Sequence, residues 1–258
     1  MKPENVFQLE LATVFASGRS LFMKLGYAYL LGLPFALITM PVRVRVIGIV
    51  VLILFTSFFG AATTLVSRRS DGQLSRLKLL PIRRNSLYSD ILFSGAAVDL
   101  LQVGLVIFLL LLINGRNLSL QLVLTIAGTL VLSVLFLNLL GMLLGAVSNN
   151  SQEVHLIGSI GVGLIGFLSG IYLVPSRIEG VIDTISLASP LRYLARSLSA
   201  GMGESTGGIL PIHALLSTLL LMLLIGVFLM RGLHIRPSGR NGASSLVRGG
   251  GNNQTQRT

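Results

Sequence analysis

Gly161-Val-Gly163-Leu-Ile-Gly166 has the spacing with which glycine-rich turns approach a dinucleotide pyrophosphate. That chemistry needs a strand before the glycines and a helix after them. Here they stand inside an uninterrupted apolar block, so close helix packing is the better reading. Ser159, Gly163, Gly166 and Gly170 recur at spacings of four, three and four, which puts small residues on one expected helix face. Gly141 and Gly145 form a second, shorter instance. Ser169 and His213 raise nucleophilic catalysis inside a membrane. Their surroundings, Gly166-Phe-Leu-Ser169-Gly170, lack the turn spacing and the partner groups that a nucleophile and its base require. His155 beside Glu153 reads as a polar helix end rather than a metal site, and no metal centre is expected.

Asp99, with Gln102 three residues on and Asn138 in a later block, is different in kind. A carboxylate about eight residues into an apolar segment is costly unless it faces protein or water. Two readings stay open for Asp99: it lines a pathway with Gln102, or it is a hydrogen-bonding partner inside the bundle. Asn138 is a pathway candidate that reads more readily as a polar contact between helices.

The elements that must hold these residues follow from composition. Charged residues are 11% of 258, against about 25% in soluble domains. Mean hydropathy is +0.83. The apolar residues come in long blocks, so the chain is expected to be an all-α membrane protein. There is no cysteine, which excludes disulfides and thiol chemistry. The basic balance (net +11) gathers beside apolar blocks, which favours topology and anionic lipid over nucleic acid.

Six transmembrane helices can be drawn, over Leu25–Met40, Val46–Val66, Ile91–Ile113, Leu118–Val147, Val154–Val174 and Leu210–Met230. A tight turn at Pro41-Val-Arg-Val-Arg45 separates the first two. Residues 1–24 carry Glu4 and Glu10 and repeat apolar residues near helical spacing, so an N-terminal amphipathic interfacial helix is expected rather than a cleaved leader. The membrane domain spans 25–232. The tail, 233–258, is rich in Gly, Asn, Ser and Arg and is expected to be a disordered basic cytoplasmic segment. Fourteen Lys and Arg fall on one side of this topology and six on the other, which places both termini and the 66–91 loop in the cytoplasm.

That loop, Val66-Ser-Arg-Arg-Ser-Asp-Gly-Gln-Leu-Ser-Arg-Leu-Lys-Leu-Leu-Pro-Ile-Arg-Arg84 and onward, holds six cations. Ser70 to Gln73 has the form of a capping box. Leu74, Leu77 and Leu80 then share a face, Arg76 and Lys78 point elsewhere, and Pro81 stops the helix. Orientation alone does not require such a helix, so a docking element over Asp71–Leu80 is expected. Residues 175–209 mix Pro175, Arg177, Glu179 and Asp183 with an amphipathic stretch, and predict an extracytoplasmic re-entrant helical hairpin that packs on spans five and six.

The segment Ser67–Ile91 resembles the first cytoplasmic loop of type 2 ATP-binding-cassette (ABC) transporter permeases. Asp71-Gly72-Gln73-Leu74 matches the family's turn, and Leu79-Leu80-Pro81-Ile82-Arg83 its exit. Phe167–Pro175 is similar to the end of the family's fifth span, and Ser189-Pro190-Leu-Arg192-Tyr193 with Arg196 to the segment after it. The likeness covers about residues 1–232. Where the family often carries Glu, this chain has Ser67 and Ser70, and Gln73 stands where Thr is common. The resemblance implies a six-span exporter subunit of the plasma (inner) membrane. Its coupling helix (Asp71, Gly72, Gln73, Leu74, Arg76, Leu77, Lys78, Leu80, Pro81) would fit a cleft of a separate ABC ATPase subunit. Pro175, Pro190, Arg192, Tyr193 and Arg196 would form an outer gate, and a second permease copy or paralogue would complete the dimer. ATP and Mg would be held by the partner. The chain's only lysines are Lys2, Lys24 and Lys78, none in a phosphate-binding loop, so the chain itself is not expected to be an enzyme. The competing expectation is a self-contained secondary transporter or channel. Such a protein would show paired intramembrane charges or matching broken helices, whereas this chain has one buried acid and no convincing internal repeat.

Overall fold

A computed structural model describes residues 7, 8, 12, 18–73, 84–115, 118–172, 176–204 and 218–227. The described residues fold into helices and the turns between them. In lipid the backbone must satisfy its own polar groups, and a helix does this within one segment. In chain order they are α1 (Gly18–Leu37), α2 (Val42–Ile53), a π-helical turn (Leu54–Phe59), α3 (Gly60–Ser70), α4 (Arg84–Asn114), α5 (Leu120–Val147), α6 (Ser151–Leu168), α7 (Glu179–Ser186) and α8 (Pro190–Gly201), then the apolar helix α9 (Thr218–Val227).

Among these, four stretches are long and apolar enough to cross a bilayer: Val42–Ser70, Tyr88–Asn114, Leu120–Val147 and Ser151–Leu168. The Val42–Ser70 stretch joins α2, the π turn and α3 into one rod of 29 residues, about 43 Å at 1.5 Å per residue, against a hydrocarbon core of about 30 Å. It therefore reaches past the core. Most of the expected interfacial helix (1–24), the sixth span outside 218–227, His213, and the tail 233–258 lie outside the described residues.

The rod is the centre of the fold. Ile49, Val50, Ile53 and Leu54 are wholly buried on it. α5 runs beside it at backbone contact. A Cβ on Gly141 would stand 2.1 Å from the Phe58 carbonyl oxygen, and one on Gly145 2.8 Å from that of Ala62. α4 closes on α1, where a Cβ on Gly32 would meet Val106 at 2.6 Å. α6 covers the π turn.

Within the chain, α6 packs through a face other than the one that carries Ser159 and Gly163. Gly158 and Gly161 take the rings of Phe59 and Phe58, which would stand 2.7 and 2.9 Å from a Cβ at those positions. Ser159 is exposed, and a Cβ on Gly163 would have nothing within 4 Å. Both share the outward side with Leu156, Ile160 and Leu164. Gly166 does pack, against the Tyr172 ring, and Gly170 stands past the helix end at φ +67°. The shift by one residue moves the buried stripe about 100° around the helix.

The turn between α1 and the rod also corrects the expectation. It occupies residues 38–41, with Pro41 at the start of α2, so Arg43 and Arg45 belong to the first turn of the helix. Arg45 is 9% exposed. Its guanidinium donates to the Asn114 side-chain oxygen and to the Ile38 carbonyl at 3.1 Å. The Asn114 amide in turn donates to the Ala36 carbonyl at 2.8 Å and to that of Leu110 at 3.2 Å. One arginine and one asparagine thus satisfy carbonyls at the end of α1 that a helix terminus leaves without partners, and tie them to the end of α4. Asn114→Leu is expected to cost about 1.5–3 kcal/mol, the usual loss for a hydrogen bond to a charged group, read as a lower midpoint in thermal unfolding of the purified protein.

Candidate functional site

Where α1, the rod, α4 and α5 meet they leave a cavity of about 490 Å³. The size is that of a small-molecule site. One wall comes from α4, on which Ser94, Gly95, Val98, Asp99 and Gln102 recur at helical spacing. The rod supplies Phe55, Thr56, Phe59, Thr64 and Arg68, and α5 supplies Asn138 and Met142. The structure therefore brings Asp99, Gln102 and Asn138 together in one cavity.

Asp99 both lines this cavity and bonds across the bundle. The Asn138 amide donates to Asp99 Oδ2 at 2.8 Å and to the Val134 carbonyl at 3.0 Å. Asn138 is thus a contact between α4 and α5 and also a lining residue. Gly95 makes room for it, since a Cβ there would stand 3.3 Å from Asn138 Oδ1.

Thr56, Thr64, Ser94 and Arg68 were not singled out from the sequence. The α4 residues had a signal: Ser94 and Gly95 lie one turn before Val98 and Asp99, on the same stripe. The rod residues had none. They face the cavity through a π turn, and wide turns of this kind occur often at functional sites. Thr56 turns its hydroxyl back to the Leu52 and Ile53 carbonyls, 3.0 and 3.2 Å away.

The rod ends where the loop toward the expected coupling helix begins. The capping box expected at Ser70 does not form. Ser70 is the last residue of α3, and its hydroxyl donates to the Ser67 carbonyl at 2.8 Å. Gly72, at φ +70°, instead closes the end of the rod, the left-handed position that glycine fills at helix C-termini. The Ser67 hydroxyl reaches Asp71 Oδ2 at 3.3 Å. Gln73 is helical. Leu74, Arg76, Leu77, Lys78, Leu80 and Pro81 lie outside the described residues. Arg69, a turn earlier, donates to the Ala146 carbonyl at 3.4 Å and to that of Ser148, fastening the end of α3 to that of α5. A reciprocal cap does occur at α6, where the Glu153 N–H donates to Asn150 Oδ1 at 2.8 Å and Glu153 Oε2 accepts from the Asn149 N–H at 2.7 Å. His155, two residues on, lays its ring against Phe59 at a centroid distance of 5.0 Å.

At the other end of the bundle, α7 and α8 form a helical hairpin. Pro175 lies outside the described residues. Pro190 opens α8, where its missing N–H costs nothing. Leu191, Leu194 and Leu198 are wholly buried. Among the described residues they dock α8 chiefly on α5 and α2. Toward the expected fifth and sixth spans, Thr218 of α9 donates to the Ala188 carbonyl at 3.0 Å, and Ser169 and Ser189 share a hydrogen bond of 2.7 Å. That bond gives Ser169 a structural partner. The amphipathic α8 has its apolar stripe inward because leucines three or four residues apart share a face.

Arg192 organises the hairpin. It pairs with Asp183 at 3.0 Å, donates to the Asp183 carbonyl at 2.8 Å and bonds the Ser186 hydroxyl. Tyr193 donates to the Leu187 carbonyl at 3.1 Å. Arg196, with Arg43, Arg192, Asp183 and Glu204, lines a second cavity of about 320 Å³ under the hairpin. The two partners of the ion pair are unequal. Asp183 is 61% exposed and Arg192 only 11%. Asp183→Ala is expected to cost under about 1 kcal/mol, as exposed ion pairs do. Arg192→Leu, which also removes the bonds to the Ser186 hydroxyl and the Asp183 carbonyl, should cost about 2 kcal/mol. Limited proteolysis of the hairpin in the two variants separates these outcomes.

Compared with known families, the chain matches the membrane-domain family described as ABC-2 type transporter over residues 10–202, from before α1 to the end of α8. No curated protein matches the chain.

Proposed function

Because the chain belongs to the ABC-2 type transporter family, as a multi-pass ABC transporter permease, we propose that it is the membrane half of an ATP-driven exporter. In this reading the domain has six spans, with both termini on the cytoplasmic side of the plasma membrane. Two copies, or this chain and a paralogue, enclose the substrate path, and each engages an ABC ATPase that holds the ATP and Mg. The chain itself hydrolyses no nucleotide. The α7–α8 hairpin dips into the outer leaflet as a gate. The segment Asp71–Leu80 enters the ATPase cleft, and its motion is passed to the rod through Gly72 and Arg69. Export is favoured over import because no external binding-protein dock is evident in the sequence.

The observation that carries this reading is the family match over residues 10–202, which takes in both the 66–91 loop and the hairpin. Tagged protein isolated from its native membranes should bring down an ATPase, and the complex should hydrolyse ATP. If no ATPase accompanies it, and vesicles of the chain alone still transport, the self-contained carrier takes its place.

A further inference from the structure

Charge at the hairpin end of the bundle is unbalanced, and part of it converges on one cavity. The connections at this end, 38–45, 113–120 and 169–217, carry six arginines against three acids, Glu179, Asp183 and Glu204. Asp183 is already paired with Arg192. Glu179 and Glu204 remain for five arginines, so this end stays cationic whichever pairs they form.

The cavity of about 320 Å³ under the hairpin gathers this charge. Arg192 and Arg196 stand one turn apart on α8, on one face. Arg43 comes from the first turn of α2, on which α8 packs. A cation gains nothing from the dipole at that end of a helix, so α2 itself does not account for Arg43. Arg43 and Arg196 are exposed at the mouth of the cavity, whereas Val46 and Ile171 are buried and form an apolar floor. Arg192 is held by Asp183 and Ser186, so the contacts to a ligand fall to Arg43 and Arg196. A guanidinium fork matches the oxygens of a phosphate two at a time. Outside the cavity, Ile178, Val181 and Ile185 are exposed at helical spacing along α7, a stripe suited to the boundary between headgroups and acyl chains. It sets the cavity at the level where phosphates lie.

We propose that this cavity binds a phosphate group of net negative charge, with Arg43 and Arg196 as its two forks and the apolar floor beneath the rest of the ligand. An anionic phospholipid headgroup and a soluble phosphate share this chemistry. The binding needs neither ATP nor an ATPase, so it is tested apart from coupling.

The test uses the purified full chain in detergent and measures saturable binding of dioctanoyl phosphatidylglycerol, dioctanoyl phosphatidylcholine and radiolabelled inorganic phosphate. Phosphatidylglycerol, inorganic phosphate or both should bind. Binding of the lipid alone assigns the site to a headgroup, binding of phosphate alone to a soluble ligand, and binding of both to the phosphate itself. Arg43→Gln and Arg196→Gln should each weaken binding about fivefold or more. Glu204→Gln removes a negative charge from the lining and should tighten binding. Arg177→Gln, elsewhere on the hairpin, should leave it unchanged. The proposal is overturned if neither anion binds, if phosphatidylcholine binds as tightly as phosphatidylglycerol, or if Arg43→Gln and Arg196→Gln keep wild-type affinity. It is equally overturned if Arg177→Gln loses as much as they do, or if Glu204→Gln weakens binding. The phosphatidylcholine and Glu204 arms decide the matter even if an arginine variant does not fold.

Discussion

Replacing Leu74 and Leu77 together by aspartate is expected to abolish ATP-driven transport while the helical bundle stays folded. The sequence puts both leucines on one face of a short segment between Gly72 and Pro81. Burying a leucine against a partner contributes about 1.5–3 kcal/mol. Losing two removes about 3–6 kcal/mol, a hundredfold or more in affinity for the ATPase. Each aspartate adds a charge that would be desolvated in the cleft. The cations at Arg76 and Lys78 would still steer encounter, but steering does not replace the apolar anchor. The measurement has two parts: co-isolation of the ATPase, and transport by the reconstituted complex. The bundle is checked by unchanged thermal unfolding of the permease alone. Intact transport by the double variant would sink the coupling role of this segment.

The second large effect concerns folding. Gly141→Val should prevent α5 from seating on the rod. The nearest obstacle to a Cβ is the Phe58 carbonyl oxygen at 2.1 Å, followed by the Ala61 Cβ at 2.9 Å. Backbone cannot rotate aside as a side chain can, so the helices must part. Overpacking of a core costs about 1–3 kcal/mol where side chains can yield, and this site should exceed that range. Parting the helices also pulls Asn138, one turn away, from Asp99. Gly128, on the same helix, has nothing within 4 Å of a Cβ, and Gly128→Ala should be neutral or slightly stabilising, because alanine holds a helix better by about 1 kcal/mol. Yield and thermal stability of the two detergent-solubilised variants should therefore move apart. Equal stability would mean that α5 and the rod are not held by this contact.

The helices were legible in the sequence because each apolar block must become a helix to satisfy its backbone. Their ends were legible only where polar chemistry marks them. Asn150 and Glu153 cap α6, whereas Ser70, which has the same look, continues the helix before it. The reason is that Gly72 supplies a stop for α3 two residues later, and a stop outranks a possible start. Faces were least legible. On α6 nearly every position is apolar or small, so several glycine spacings fit equally well, and only the partner surface picks among them. Here the Phe58 and Phe59 rings select Gly158 and Gly161. The acid at Asp99 and its partners were readable because a polar side chain in an apolar block has few explanations. The aromatic and threonine residues of the rod were not, because phenylalanine is as ordinary in lipid as in a binding site.

The π turn at Leu54–Phe59 carries a consequence for how this chain tolerates length changes. An α-helix advances about 100° per residue, and a π turn holds one residue more than the α turn it replaces. The extra residue is therefore taken up within the turn itself. Deleting one residue within Leu54–Phe59 would turn it into an ordinary α turn, and Thr64 and Arg68 would still face the cavity while Arg45 and its partners at the other end kept their places. Deleting one residue from the regular helix just after it, between Gly60 and Thr63, would instead swing Thr64 and Arg68 about 100° away. The segment thus acts as slack in the rod, a place where chains can differ in length by a single residue and still present the same face to the same space.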